Sequence, residues 1–151
     1  MRYRRYRSED FNDLYSVEEA CFASPFRFGR AAMRRIVEEP NTATWIAEDE
    51  DGMAGFAVTE WFASRAGTSA YVQTIEVMPE KRGRGVGAEL LALVERSARE
   101  AGAEAVGLHV DAENAGAIRL YERSGYVCQG RREGYYPQGR AALVYVKQLG
   151  E

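Results

Sequence analysis

Histidine occurs once in the 151 residues, at position 109, and cysteine twice, at Cys21 and Cys128. Two cysteines far apart in sequence, with one histidine, support neither a disulfide framework nor a Cys/His metal site, so no metal is expected and both thiols are expected to be buried and reduced. No apolar run approaches the roughly 18 residues that span a bilayer, and the start Met1-Arg-Tyr-Arg-Arg-Tyr-Arg-Ser-Glu-Asp-Phe11 lacks a signal peptide's apolar stretch. These absences predict a cytoplasmic chain without a membrane partner. A net charge of −3 argues against nucleic acid as a partner. Arg2, Arg4, Arg5 and Arg7 crowd one short segment and read as a solvated strand face.

What is present is ordinary for a soluble globular protein: 46% hydrophobic and 28% charged residues, enough in 151 residues for one domain, 1–151, around one sheet. Residues 2–7 read as a strand. Ser8 heads a helix whose apolar positions Leu14, Val17 and Cys21 recur every three to four residues. A second helix covers 29–39 and stops at Pro40. Strands 44–48 and 53–62 flank Asp51-Gly52, a pair that tolerates the positive φ of a tight hairpin turn. A strand over 70–77 precedes a helix with Val86, Leu90, Leu91, Val94 and Ala98 on one face and Gly102 at its stop. Then come a strand over 106–110, a helix capped by Asn114 and running to about Arg123, Gly125 at its end, and strands over 126–129 and 142–147. This order predicts an α/β fold with a mixed sheet covered by helices on both faces.

The most informative segment joins the strand ending Ile75-Glu-Val77 to the following helix through Met78-Pro-Glu-Lys-Arg-Gly-Arg-Gly-Val-Gly-Ala88. Glycines let a ligand approach the backbone, and the first N–H groups of a helix have no internal partner. With the helix dipole and Lys81, Arg82 and Arg84, the turn suits a pyrophosphate. Gly83-x-Gly85-x-x-Ala88 also fits the dinucleotide fingerprint, with Glu104 about 20 residues on. Against that reading, five residues separate the strand from the first glycine, and too little chain remains for two mononucleotide halves. A surface turn without a ligand is the plain alternative.

Arg82-x-x-Gly85-x-Gly87 resembles the Q/R-x-x-G-x-G/A coenzyme-A motif of the GNAT acetyltransferase superfamily. The later stretch agrees: Leu108-His-Val-Asp-Ala-Glu-Asn114, Ala117-Ile-Arg-Leu-Tyr121 and Ser124-Gly-Tyr126 are similar to that family's strand, Asn-headed helix and Y-x-x-x-G-F/Y ending. Within the superfamily the chain is most similar to N-terminal α-amino acetyltransferases, including the ribosomal-protein-alanine type. The loop Cys21-Phe22-Ala-Ser-Pro25-Phe26, the strand Leu108-His109-Val110 and the pair Tyr135-Tyr136 carry that similarity. Bacterial ribosomal-protein enzymes generally have glutamate where His109 stands; histidine there resembles archaeal and eukaryotic members.

The resemblance implies a GNAT fold, a mostly antiparallel sheet of about seven strands, and acetyl-coenzyme A as cosubstrate. It implies that Ile75, Val77, Arg82, Gly83, Arg84, Gly85, Val86, Gly87, Ala88, Asn114 and Tyr121 bind the coenzyme, with the Val77 N–H as oxyanion donor. Phe22, Pro25, Phe26, Tyr71, Glu76, Tyr135 and Tyr136 would border the acceptor. His109, Tyr71 and Tyr121 would be catalytic: His109 as base, Tyr71 handling the same proton, Tyr121 as acid for the thiolate.

The residue chemistry accords with this division. An imidazole near about 6.5 suits removal of a proton from an α-amine near about 8 better than from a lysine near about 10.4. As plain structural residues, Tyr71 and Tyr121 are also good core aromatics, Asn114 a good helix cap, and the loop aromatics good anchors. Glu76 alternates away from Ile75 and Val77 and offers a second route to a base. The expected acceptor is a protein or peptide N-terminus, with a small amine, or an acyl-coenzyme-A-binding domain without catalysis, as alternatives.

Overall fold

In the computed structural model, residues 1–23 and 26–150 are described. Seven strands form one sheet: β1 (Arg2–Arg5), β2 (Thr42–Asp49), β3 (Gly52–Ser64), β4 (Gly67–Val77), β5 (Ala103–Asp111), β6 (Val127–Arg132) and β7 (Ala142–Gln148). Four helices accompany them: α1 (Phe11–Cys21), α2 (Arg30–Glu38), α3 (Val86–Glu100) and α4 (Ala115–Arg123). The spatial order is β1-β2-β3-β4-β5-β7-β6, and only β4 and β5 pair in parallel. A sheet with one parallel pair is not the doubly wound parallel sheet of a dinucleotide-binding fold, which removes that reading of the glycine turn.

Alternation along the strands feeds two cores. Ala57 of β3 and Val106, Leu108 and Val110 of β5 pack with Leu90, Leu91 and Val94 of α3 and Tyr121 of α4. Ile46 of β2 and Phe56 and Val58 of β3 face the other way, onto Phe11, Leu14 and Val17 of α1 and Met33 of α2. Helices therefore cover both faces, as the element order predicts.

Local chemistry sets the boundaries. Gly52 turns the β2–β3 hairpin at φ 115°, and Asn114 Oδ1 accepts the Ala117 N–H at 3.1 Å to cap α4. The first helix starts differently from its sequence reading. Ser8 opens a 3-10 turn, and the carboxylate of Asp10 accepts the Arg7 N–H at 2.7 Å in place of a Ser8 cap. Arg4 is no solvated residue either, since its guanidinium lies 2.8 Å from Asp10 and 3.1 Å from Glu48. The expectation of two buried cysteines is corrected as well. Cys21 is half-buried, and Cys128 is exposed because it sits on β6, the sheet edge, where every residue is exposed.

Two irregularities shape β4. Val58 pairs with Thr74 but Thr59 pairs with Val72, so Gln73 is an extra residue, a β-bulge. The bulge reverses the alternation: Ala70 and Val72 face the α3 core before it, and Ile75 and Val77 face that core after it. Pairing with β5 runs only from Thr68/Ala103 to Tyr71/Gly107, after which the two strands part.

Candidate active site

A cavity of about 720 Å³ occupies the gap where β4 and β5 part. It is lined by Val72 to Ile75 on one strand and Leu108 to Asp111 on the other, with Asn114, Ala117 and Tyr121 at one end and Phe22, Phe26, Tyr135 and Tyr136 at the other. Among the described residues no helix is long and apolar enough to cross a membrane, and no cluster of three His, Cys, Asp or Glu could hold a metal.

His109 projects from β5 away from the face that buries Val106, Leu108 and Val110. Its Nδ1 is hydrogen-bonded to the Tyr71 hydroxyl at 2.8 Å, and its Nε2 is buried with no partner among the described residues. Tyr135 stacks on the imidazole, rings 4.5 Å apart and 4° from parallel. Tyr136 meets Tyr135 edge-on at 4.9 Å and Phe26 at 6.4 Å, so aromatic rings run unbroken from the β5 histidine to the segment between α1 and α2. Burial first, and the positive charge of Arg132 second, hold the imidazole pKa below its ordinary value.

The phenols are pushed the other way. Tyr71 titrates well above its ordinary range, mainly through burial, then through the neighbouring Tyr135 hydroxyl. Tyr121, 5% exposed, is raised chiefly by burial, and burial carries Tyr136 to about 12. All three remain protonated at neutral pH. Tyr121 packs on Tyr126 and Tyr145 as well as lining the cavity, so its core reading and its site reading are compatible.

The bulge puts Tyr71, Thr74 and Glu76 on one face of β4 and leaves Ile75 and Val77 on the other. Gly55 is opposite Val77, and the Met78 N–H donates to the Ala54 carbonyl at 2.8 Å. In an antiparallel ladder this alternation turns the N–H groups of Ile75 and Val77 away from β3, toward the gap beside β5. The Val77 carbonyl accepts from Arg82 Nε at 2.9 Å and from the Cys21 thiol at 3.4 Å.

Arg82 to Ala88 do not line the cavity; they lie at the C-terminal end of β4, where Arg82, Gly83, Arg84 and Gly85 are exposed. Gly83 and Gly85 take left-handed φ of 77° and 82°, and Gly85 is the N-cap of α3 with no side-chain cap. The first intrahelical bond is Glu89 N–H to Gly85 carbonyl, so the amides of Val86, Gly87 and Ala88 have no helical acceptor. The turn and the gap fit the two needs of a coenzyme A molecule, donors for a pyrophosphate and a free strand edge for an amide-bearing arm. Its cationic charge is smaller than the sequence suggests, because Lys81 is paired with Asp49 and Asp51 at 2.8 and 2.7 Å.

Asn114 and Phe22 line the cavity as well, while Pro25 lies outside the described residues. Glu76 does not line it: the side chain is 3% exposed behind Glu18, which does. Glu18, Asp111 and Arg140 escaped the sequence reading. Glu18 had a signal, an acid within the apolar stripe Leu14, Val17, Cys21 of α1. Arg140 pairs with Asp111 at 2.5 Å and lies 5.3 Å over the Phe26 ring, a contact between distant segments that no local pattern reports.

The family model described as Acetyltransferase (GNAT) family matches residues 9–126. Mycothiol acetyltransferase of Propionibacterium freudenreichii subsp. shermanii is 29% identical over 133 residues, 83% of this chain and 43% of that protein. The chain thus spans about half or less of the length of the curated relatives it matches first. Two solved structures share the fold. The ribosomal-protein-S18-alanine N-acetyltransferase of Escherichia coli superposes with a TM-score of 0.86 at 22% identity, covering 99% of this chain and 94% of that one. Arabidopsis thaliana NAA60 in complex with acetyl-CoA gives 0.87 at 23%, covering 97% of each.

Proposed function

This chain belongs to the GNAT acetyltransferase family, and from that premise we propose that it moves an acetyl group from acetyl-coenzyme A to a primary amine, the N-terminal α-amine of a peptide or protein. One observation carries the reading: the Tyr71–His109 pair, Tyr121 and the aromatic row Phe26-Tyr136-Tyr135 surround a single cavity in the gap between β4 and β5.

Acetyl-coenzyme A supplies an activated thioester. The amides of Val86 to Ala88, with Arg84, hold its pyrophosphate, and the free edge of β4 at Ile75 and Val77 holds its arm with Asn114. The Val77 N–H stabilises negative charge on the acetyl oxygen. His109 holds the proton taken from the acceptor ammonium. Its depressed pKa keeps it neutral at pH 7, and the Tyr71 hydroxyl lies on the path: as the phenol oxygen takes the ammonium proton, its own proton passes to Nδ1, and no phenolate persists. Tyr121, protonated, donates to the sulfur, whose thiol resembles cysteine at about 8.5.

Phe22, Phe26, Tyr135 and Tyr136 form a wall that fits the end of a chain better than an internal lysine held in a fold. A smaller amine is the second reading, favoured by the likeness to mycothiol acetyltransferase. Incubating the chain with acetyl-coenzyme A and equal amounts of peptides with free α-amines, peptides with a blocked α-amine and an internal lysine, and small diamines tests both. Mass spectrometry should find acetyl groups on α-amines; acetylation confined to lysine side chains or diamines refutes the N-terminal reading.

A further inference from the structure

The proposed chemistry leaves two carboxyl groups unused. Glu18 of α1 and Glu76 of β4 are 0% and 3% exposed, and Glu18 is close enough to Glu76 for the two carboxyls to act on each other. Each has one oxygen satisfied from elsewhere. Glu18 Oε2 accepts the Phe28 N–H at 2.9 Å, and Glu76 Oε2 accepts the Thr74 hydroxyl at 2.6 Å. Glu18 Oε1 and Glu76 Oε1 have no donor among the described residues.

Two carboxylates this close in a dry environment do not both ionise, so the pair retains one proton between them. Burial first and Glu18 second accordingly raise the Glu76 carboxyl far above the usual range. One proton retained by the pair leaves it one negative charge. Neither glutamate takes part in an ion pair among the described residues. The Cys21 thiol beside them is neutral, raised to about 11 by burial and then by Glu76. Arg82 reaches the Cys21 sulfur at 3.7 Å but is exposed. Asp111 and Arg140, the other oppositely charged residues of the cavity wall, are paired with each other.

A buried charge without a counter-ion is costly, and it persists where an arriving cation complements it. Glu18 is part of the wall of the cavity that also holds Tyr71 and His109. We propose that the Glu18–Glu76 pair is the anionic subsite that recognises the acceptor as a cation, drawing its ammonium into the cavity before the Tyr71–His109 pair removes the proton. This rests on the cavity taking an amine acceptor. The acceptors it favours carry a protonated primary amine with no acid beside it, such as a chain end followed by neutral or basic residues.

Sharing the proton makes the subsite testable. Glu18→Gln and Glu76→Gln each keep one negative charge and a side-chain hydrogen bond, whereas the double variant keeps the bond and loses the charge. With a short peptide bearing an N-terminal alanine, each single variant should raise the acceptor KM about threefold or less and the double variant about thirtyfold or more, while the KM for acetyl-coenzyme A stays within about twofold. A merely structural pair would lower the melting temperature without separating the two KM values. An acceptor KM in the double variant equal to that of the unsubstituted chain overturns the subsite, as do two single variants as impaired as the double.

If the double variant does not fold, competition on the unsubstituted chain decides. The des-amino form of the peptide should bind about tenfold more weakly than the peptide itself; equal binding overturns the proposal. Failure of the unsubstituted chain to acetylate any amine would instead overturn the underlying reading, so the two failures are distinguishable.

Discussion

The hydroxyl of Tyr71 lies 2.8 Å from Nδ1 of His109, joining β4 to β5 just beyond their last paired residues, Tyr71 and Gly107. Burial keeps the phenol protonated and the imidazole neutral, so at pH 7 the base is the neutral imidazole with the phenol hydrogen-bonded to it, and no standing phenolate is available. Tyr71→Phe and His109→Ala should each lower kcat by about 10²- to 10⁴-fold with acetyl-coenzyme A affinity unchanged. The double variant should be little worse than either single one, since groups acting as a unit are not additive. Multiplicative losses in steady-state kinetics would separate their roles.

The acidic limb of the kcat/KM profile follows from the His109 pKa. The base works when unprotonated, and its pKa is depressed, so activity should persist below the ordinary imidazole value of about 6.5 and fall only as the pH drops through the lowered value. Arg132→Gln removes one of the two causes and should move that limb to higher pH. The acceptor amine titrates equally in both proteins and cancels from the comparison. A shift to lower pH, or none, would show that the limb belongs to another group.

Gly85 is the left-handed N-cap of α3, and a Cβ there would meet nothing within 4 Å. Gly85→Val therefore costs backbone strain of about 1–2 kcal/mol without a clash inside the protein. Calorimetry should show acetyl-coenzyme A affinity reduced by about tenfold or more, with the circular dichroism spectrum retained. In the unsubstituted chain the affinity should fall as salt rises, the mark of a charged ligand at an exposed turn.

Short-range physics made much of this fold legible. Asp51-Gly52 marked its hairpin, Asn114 its cap, and Gly102 and Gly125 adopt the positive φ expected where α3 and α4 stop. The position of His109 followed from strand alternation alone. What stayed hidden depends on partners far away in sequence. Unbroken alternation would put Tyr71 on the same face as Ile75 and Val77; the bulge at Gln73, visible only in the register with β3, separates them. Lys81 reads as a phosphate ligand until the hairpin brings Asp49 and Asp51 against it. Ser8 and Asp10 are both good caps, and Arg4, binding Asp10 across the turn, is part of what distinguishes them.

Gly55 is a residue whose need for hydrogen at Cα only the sheet reveals. A Cβ there would press inside contact distance of the Glu76 carbonyl, with the Val77 Cα at 3.2 Å. These are backbone atoms of β4, so the strand itself must move. Gly55→Ala should destabilise the protein by about 1–3 kcal/mol in chemical denaturation. It should also lower kcat about tenfold with the acceptor KM little changed, because the displaced strand carries the Val77 N–H aimed at the acetyl oxygen. Normal kcat in a destabilised variant would detach that N–H from the chemistry.

Tyr121 is the sharpest test of the leaving-group step, because its ring is fixed by Tyr126 and Tyr145 whether or not the hydroxyl is present. Tyr121→Phe keeps that packing and removes only the acid. The raised pKa means the hydroxyl stays protonated through the working pH range and so has a proton to give to a thiolate. Turnover should fall about 10²- to 10⁴-fold with the melting temperature nearly unchanged. The loss should shrink with an acetyl thioester whose thiol is more acidic, since a better leaving group needs the proton less. If Tyr121→Phe is equally impaired with both thioesters, the hydroxyl acts before the carbon–sulfur bond breaks, and protonation of the sulfur must be assigned elsewhere in the cavity.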